Sequence, residues 1–129
     1  MPMIFAASES IVLVDGETIE GVRSVDYRFT QARMNVYALG SAERIGMVSG
    51  PQTVEGELRV ASTSPGLNSK IGDALFQITA QLKHGKTAMT VTFDECLLLS
   101  KSFEMGVGGS GEAVYTFSAA RVREESQGA

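Results

Sequence analysis

Three sets of residues in this chain have the types or the spacing to do chemistry. The hexapeptide GVGGSG, Gly106 to Gly111, has the GxGxxG spacing that in dinucleotide-binding enzymes lays a pyrophosphate against a helix N-terminus. Cys96 and His84 are the one cysteine and the one histidine of the chain, and a thiol beside an imidazole is an activated nucleophile. Glu55 and Glu57 are carboxylates two positions apart, the residue type that general acid and base catalysis uses in pairs. Each set works only if the elements around it hold it in place.

The glycines lack such elements. A phosphate loop needs a helix directly after it, whereas the next residues, EAVYTFSAARV, place Ala113, Tyr115, Phe117 and Ala119 in alternation with Val114, Thr116, Ser118 and Ala120. That period of two, carried by β-favouring residues, is a strand, and the glycines are its hairpin connection to the preceding ECLLLSKSFEM. Cys96 lies inside the apolar run TFDECLLLS and reads as a buried structural thiol. His84, in LKHGK, reads as a basic residue closing a helix. In TVEGELRVAS, alternation sends Val54, Leu58 and Val60 inward and Thr53, Glu55, Glu57 and Arg59 outward, so the carboxylates belong to a solvated face with no apolar pocket to raise their pKa values. Gly56 takes the remaining inward place, where a missing side chain permits a bulge or a close approach. No catalytic residue is expected, and neither a cofactor nor a metal site, because a single cysteine and a single histidine give no metal-ligand spacing.

The 129 residues suit one domain, 1–129, with one hydrophobic core. Apolar residues make up 43% and charged residues 20%, and 14 glycines without tryptophan point to many turns between short strands. The formal charge of −4 argues against binding nucleic acid by neutralising phosphates. It is compatible with a surface past which nucleic acid slides. No run approaches the roughly 20 apolar residues of a membrane span, and MPMIFAASESIVLV lacks the basic start of a signal peptide, so neither insertion nor export by that route is expected.

After a short N-terminal arm, SIVLVDGETIEGV reads as two strand pieces around the turn Asp15-Gly16. Val25, Tyr27 and Phe29 then share one strand face, and MNVYA continues the alternation through Met34, Val36 and Ala38. From Leu39 to Gln52, LGSAERIGMVSGPQ keeps no period and reads as a loop or an extended hairpin arm. Such a length is uncommon in a compact domain unless it binds something. Its Ile45, Met47 and Val48 either fold back on the body or pack on a partner. Ile71, Ala74, Leu75, Ile78 and Leu82 recur at helical spacing and predict a helix over about 69–83, capped by Asn68 or Ser69 and ended by Gly85, with Phe76 in the core. Met89, Val91 and Phe93 share a further strand face, and residues 123–129 are expected to fray. About seven strands and one helix give a mainly β fold: two packed antiparallel sheets, a sandwich or partly closed barrel, with one flanking α-helix.

This order of early strands, a long arm (LGSAERIGMVSGPQ), the strand TVEGELRVAS, the helix SKIGDALFQITAQLK, the strand TAMTVTFDEC and a final hairpin ending GEAVYTFSAARV resembles the tail tube proteins of contractile-tail bacteriophages. Their relatives include tailocins, extracellular injection systems and the Hcp rings of type VI secretion. The resemblance implies six subunits closing a ring and rings stacking into a hollow conduit for DNA delivery inside a contractile sheath. It also implies sheath, baseplate and tail-terminator partners, a tape-measure protein and passing DNA in the lumen without specific binding, a place in the virion after assembly in the host cytoplasm, and no membrane partner. In that setting Ile45, Met47 and Val48 would reach an adjacent subunit or ring, and Glu55 and Glu57 are candidates for an acidic lumen that repels phosphate. A non-polymerising baseplate or terminator ring shares the pattern. From other classes, a small ligand-binding β-barrel has no need of the arm, and an enzyme would need Cys96 with His84, or Glu55 with Glu57, in a cleft.

Overall fold

The computed structural model describes residues 6–61, 63–72, 74–109 and 111–127; the start of the expected N-terminal arm and the last two residues of the expected frayed tail lie outside them. Alternating apolar residues make Ala6–Val14 (β1) and Glu17–Ile19 (β2) an antiparallel pair across Asp15-Gly16, whose φ angles of 50° and 84° are those of a tight hairpin turn. Val12 and Val14 are buried. Val22–Val36 (β3) and Gly46–Ala61 (β4) form a second, much longer hairpin. Phe76–His84 (β5), Thr87–Glu104 (β6), Glu112–Ala119 (β7) and Arg121–Gln127 (β8) complete eight strands among the described residues.

Every pairing is antiparallel, and the strands follow one hydrogen-bonded path, β2-β1-β5-β6-β7-β4-β3, with β8 also on β6. The mainly β, antiparallel expectation therefore holds, with the two layers sharing a strand. The first half of β6, Ala88 to Asp94, pairs with β8 while also pairing with β5; its second half, Leu97 to Glu104, pairs with β7. Between the halves the register on β5 slips by one residue and Glu95 has φ 52°. A bulge of that kind sharpens the twist and lets one strand turn a corner between layers. Aromatic rings join the layers inside: Phe93 lies edge-on to Tyr27 of β3 and to Phe117 of β7, each with centroids 5.1 Å apart.

The inward positions read from TVEGELRVAS hold. Val54, Leu58 and Val60 are fully buried, as are Ala113, Tyr115 and Phe117 on β7. Gly56 is a close approach, since a Cβ there would meet the carbonyl oxygen of Asp26 and lie 2.7 Å from Cζ of Phe117. The missing side chain leaves room for the Phe117 ring against the β4 backbone.

Three expectations are corrected. The helix over about 69–83 is absent; instead the four-residue helix Pro65–Asn68 (α1), capped by Ser64, precedes it, and Phe76 to His84 is strand β5. Phe76, Ile78, Ala80 and Leu82 fit a period of two as well as the expected stripe fitted 3.6, and the layer that buries them supplies ladder partners on both sides, β1 and β6. Ile71, Ala74 and Leu75, which that stripe needed, are exposed. His84 consequently ends a strand opposite Thr87 and closes no helix. The tail expected to fray over 123–129 is strand β8 as far as Gln127, held by its ladder to β6. Among the described residues no helix is long and apolar enough to cross a membrane.

Candidate assembly interface

Of the three sets with catalytic residue types, none is assembled into a site. Gly106 to Gly109 form an exposed turn between β6 and β7, closed by Gly109 N–H donating to the Gly106 carbonyl at 3.2 Å, with Gly108 at φ 80°. Ser110 of the motif lies outside the described residues. Cys96 is fully buried opposite Phe76, and its thiol donates to the Phe93 carbonyl at 3.3 Å. Burial pushes that thiol up to about 12, which leaves it protonated and unreactive. His84 is exposed eight residues farther along β5, which at strand rise is about 26 Å from the cysteine's cross-strand partner. Glu55 and Glu57 do share the outward face of β4, with Arg28 and Asp26 opposite them on β3 and Ser118 and Thr116 on β7. Glu57 is 3.7 Å from Arg59, whose guanidinium also reaches Glu112 at 3.3 Å. The result is a hydrated, charged sheet face in which Asp26, Glu55 and Glu57 outnumber Arg28 and Arg59.

What the molecule does present is an arm. β4 pairs with β7 only from Val54 to Ala61, so beyond Thr30 and Thr53 the β3–β4 hairpin continues as a two-stranded ribbon, from Gln31↔Gln52 to Val36↔Gly46, with a tip over residues 37–45. At strand rise the six positions 31–36 carry it about 20 Å from the body. The arm thus begins eight residues before the Leu39 boundary expected from sequence.

The two faces of this ribbon differ sharply. Cross-strand partners share a face, so Met34, Val48 and Val36 lie together with small Gly46. The opposite face carries Arg33, Asn35 and Ser49, tied together by Arg33–Ser49 (3.2 Å), Arg33–Gln31 (3.2 Å), Arg44–Asn35 (3.2 Å) and Asn35–Tyr37 (3.4 Å) hydrogen bonds. Met47 sits on this polar face opposite Asn35, so Met47 and Val48 point to opposite sides. Ile45 is 64% exposed at the tip, where its N–H donates to Val36.

Along β3 the apolar side changes phase. In the body the odd positions Val25 and Tyr27 pack on the core, whereas in the arm the even positions Met34 and Val36 are apolar. The phase change falls at the bulge where Gly50 and Pro51 on β4 face Ala32 alone, and where a Cβ on Gly50 would come within 3.1 Å of Ala32. The apolar side of the arm is therefore turned away from the chain's own core, and Met34 and Val48 remain 67% and 55% exposed. Ile45, Met47 and Val48 are all exposed in the isolated chain. Met34 and Val36 were legible in principle, through the shift from Val25-Tyr27-Phe29 to Met34-Val36.

A second apolar region lies at the other end of the same sheet. There Val22 pairs with Val60 and Glu112 pairs with both Ala61 and Glu104. Phe103, Met105 and Val107 are exposed at this end. The seam between β1 and the start of β3 also opens a groove of about 560 Å³ lined by Ile11, Val12, Ile19, Val22, Val25 and Leu82, together with Glu20 and Arg23.

Comparison with known proteins places the whole architecture. No protein-family model and no curated protein matches the chain. Solved structures do. The sheath-tube complex of PVC, an extracellular contractile injection system, includes a chain with a TM-score of 0.68 and 18% identity, the match covering 96% of this chain and 93% of that one. The anti-feeding prophage tube-terminating cap gives 0.69 and 13% identity over 98% and 94%. Hcp1 from Flavobacterium johnsoniae gives 0.62 and 14% identity over 93% and 98%. The fold is the one these proteins share, and it is the fold that the sequence resemblance implied.

Proposed function

We propose that this chain is the structural subunit of a phage-type tail tube: six copies close a ring, rings stack into a hollow conduit inside a contractile sheath, and DNA passes through it. The observation that carries the reading is the amphipathic arm, which displays an apolar face to solvent on a fold shared with tube and cap proteins. An apolar face on a two-stranded ribbon is stable only when another surface covers it.

The sheet edges support ring closure. Among the described residues β3 pairs only with β4, and β6 from Leu97 to Glu104 pairs only with β7. The four-strand layer β3-β4-β7-β6 thus has an open edge on each side, and joining the edges of neighbouring copies gives a heterologous contact that closes by rotation into one barrel. The polar outward face of that layer then lines the bore. Glu55 and Glu57 stand on it beside Asp26, and their charge limits the adhesion of passing phosphate. Sheath, baseplate and tail-terminator proteins are the outer and end partners, a tape-measure protein occupies the lumen before DNA, and the finished tube belongs to the virion tail after assembly in the host cytoplasm. The reading assigns the chain no catalytic role.

The likeness to a tube-terminating cap favours one second reading, a ring that ends a tube without polymerising. Negative-stain electron microscopy with light scattering of the concentrated protein at modest salt separates the two. Hollow tubes of constant width are expected. Single rings that never lengthen would favour the terminator, and a monodisperse monomer that stays so after addition of a tail-initiating complex would overturn both.

A further inference from the structure

The two apolar surfaces lie at opposite ends of one long strand. The Met34–Val36 face is at the far end of β3, and the groove beside Val22 and Val25 is at its start, so about 14 residues of strand, or roughly 45 Å, separate them. A surface and its complement at opposite ends of a subunit make a head-to-tail contact, which repeats as an open filament wherever its rotation does not close a ring.

Shape and charge fit the two together. The groove is open and largely apolar, lined by Ile11, Val22, Val25 and Leu82 among others. The ribbon offers a row of three apolar side chains, Met34, Val36 and Val48, flanked by Gly46 and Gly50, whose missing side chains let its backbone approach closely. The arm over 31–50 carries Arg33 and Arg44 against Glu43 alone. The groove carries exposed Glu20, while its Arg23 is already 3.7 Å from Glu112. A basic arm therefore meets an acidic residue in the groove.

We infer that the Met34–Val36–Val48 face of one copy's arm seats in the Ile11–Val25–Leu82 groove of a second copy, and that this contact is what stacks one layer of subunits on the next. The inference rests on the tube reading and deepens it. Met47, on the hydrogen-bonded polar face of the ribbon, stays outside the contact.

Assembled protein carrying Ile11→Cys with Val48→Cys, treated with a mild oxidant, should give a ladder of dimers and higher oligomers on a non-reducing gel, because a disulfide forms only where two Cα atoms approach within about 7 Å. Ile11→Cys with Met47→Cys should give none, and buried Cys96 adds no background. Tubes from the first pair without a ladder, or equal ladders from both pairs, would overturn the docking face while leaving the tube reading intact. If the cysteine variants fail to assemble, Val48→Asp and Met47→Asp decide. Val48→Asp should raise the protein concentration needed for assembly about tenfold or more, Met47→Asp should leave it within about twofold, and equal effects would reject the assignment. Wild-type protein that forms no ring or tube even after a tail-initiating complex is added would sink the tube reading itself.

Discussion

Asp94 shows how single residues hold this corner-turning sheet together. It is buried immediately before the β6 bulge, and its carboxylate accepts from Arg123 Nε at 2.8 Å, Arg121 Nε at 2.9 Å and Gln77 Nε2 at 3.0 Å, so it ties β8 and β5 to β6. The Arg123 bond first, then the Gln77 bond, lower its pKa from an ordinary 3.8 to about 2, against the opposing effect of burial. A carboxylate depressed by folding contributes stability in full above the unfolded value and loses it as pH falls through the folded one. Asp94→Asn should therefore cost about 2 kcal/mol at neutral pH, and the gap in melting temperature from the native protein should narrow as pH falls from 4 toward 2. A gap constant across that window would mean the charge is not what holds the corner. Gly56→Ala should be destabilising by about 3 kcal/mol by overpacking, because the carbonyl of Asp26 is backbone and the Phe117 ring is buried. Chemical denaturation of the two proteins checks it; a variant within about 0.5 kcal/mol of native would show that the β3–β4 pair relaxes easily.

Among the elements, the arm is an appendage of the fold and not a support for it. Replacing residues 33–49 by a two-residue turn should leave the melting temperature within a few degrees, since every residue removed packs outside the core, while abolishing assembly in the same electron-microscopy assay. Loss of folding would mean the ribbon stabilises the body. Strands with one buried face were legible in the sequence because their alternation is unambiguous, as in Val54–Leu58–Val60 and Ala113–Tyr115–Phe117. Phe76 to Leu82 was not, because its apolar residues satisfy both periods and only the ladders with β1 and β6, contacts distant in sequence, decide between them. β8 was illegible for a related reason: RVREESQ is polar, and it is a strand because Arg121 and Arg123 reach Asp94 and its backbone completes an edge. The faces of the arm were only half legible. Val48 is on the apolar face and Met47 is not, a distinction that requires the register of the ribbon.

At the scale of the whole molecule, the proposed tube places the charged face of β4 along its bore. Glu55→Lys with Glu57→Lys changes that face by four charges per subunit. In the tube this should convert a weak interaction with DNA into a salt-dependent one readable by filter binding, while the isolated subunit keeps its fold. Equal retention of DNA by native and variant tubes would place those carboxylates outside the bore. The ribbon, finally, bears on how growth begins. A lone two-stranded hairpin is marginal in water, so an isolated pair of copies must order an arm for a single contact, whereas a preformed end offers several grooves at fixed spacing and engages several arms at once. Polymerisation should therefore show a lag at a given protein concentration, abolished by adding sheared tube fragments as seeds, and light scattering that rises without delay in unseeded samples would contradict it. In the proposed tube, the arm whose apolar face would drive elongation would also hold the dilute subunit back until a starting end is supplied.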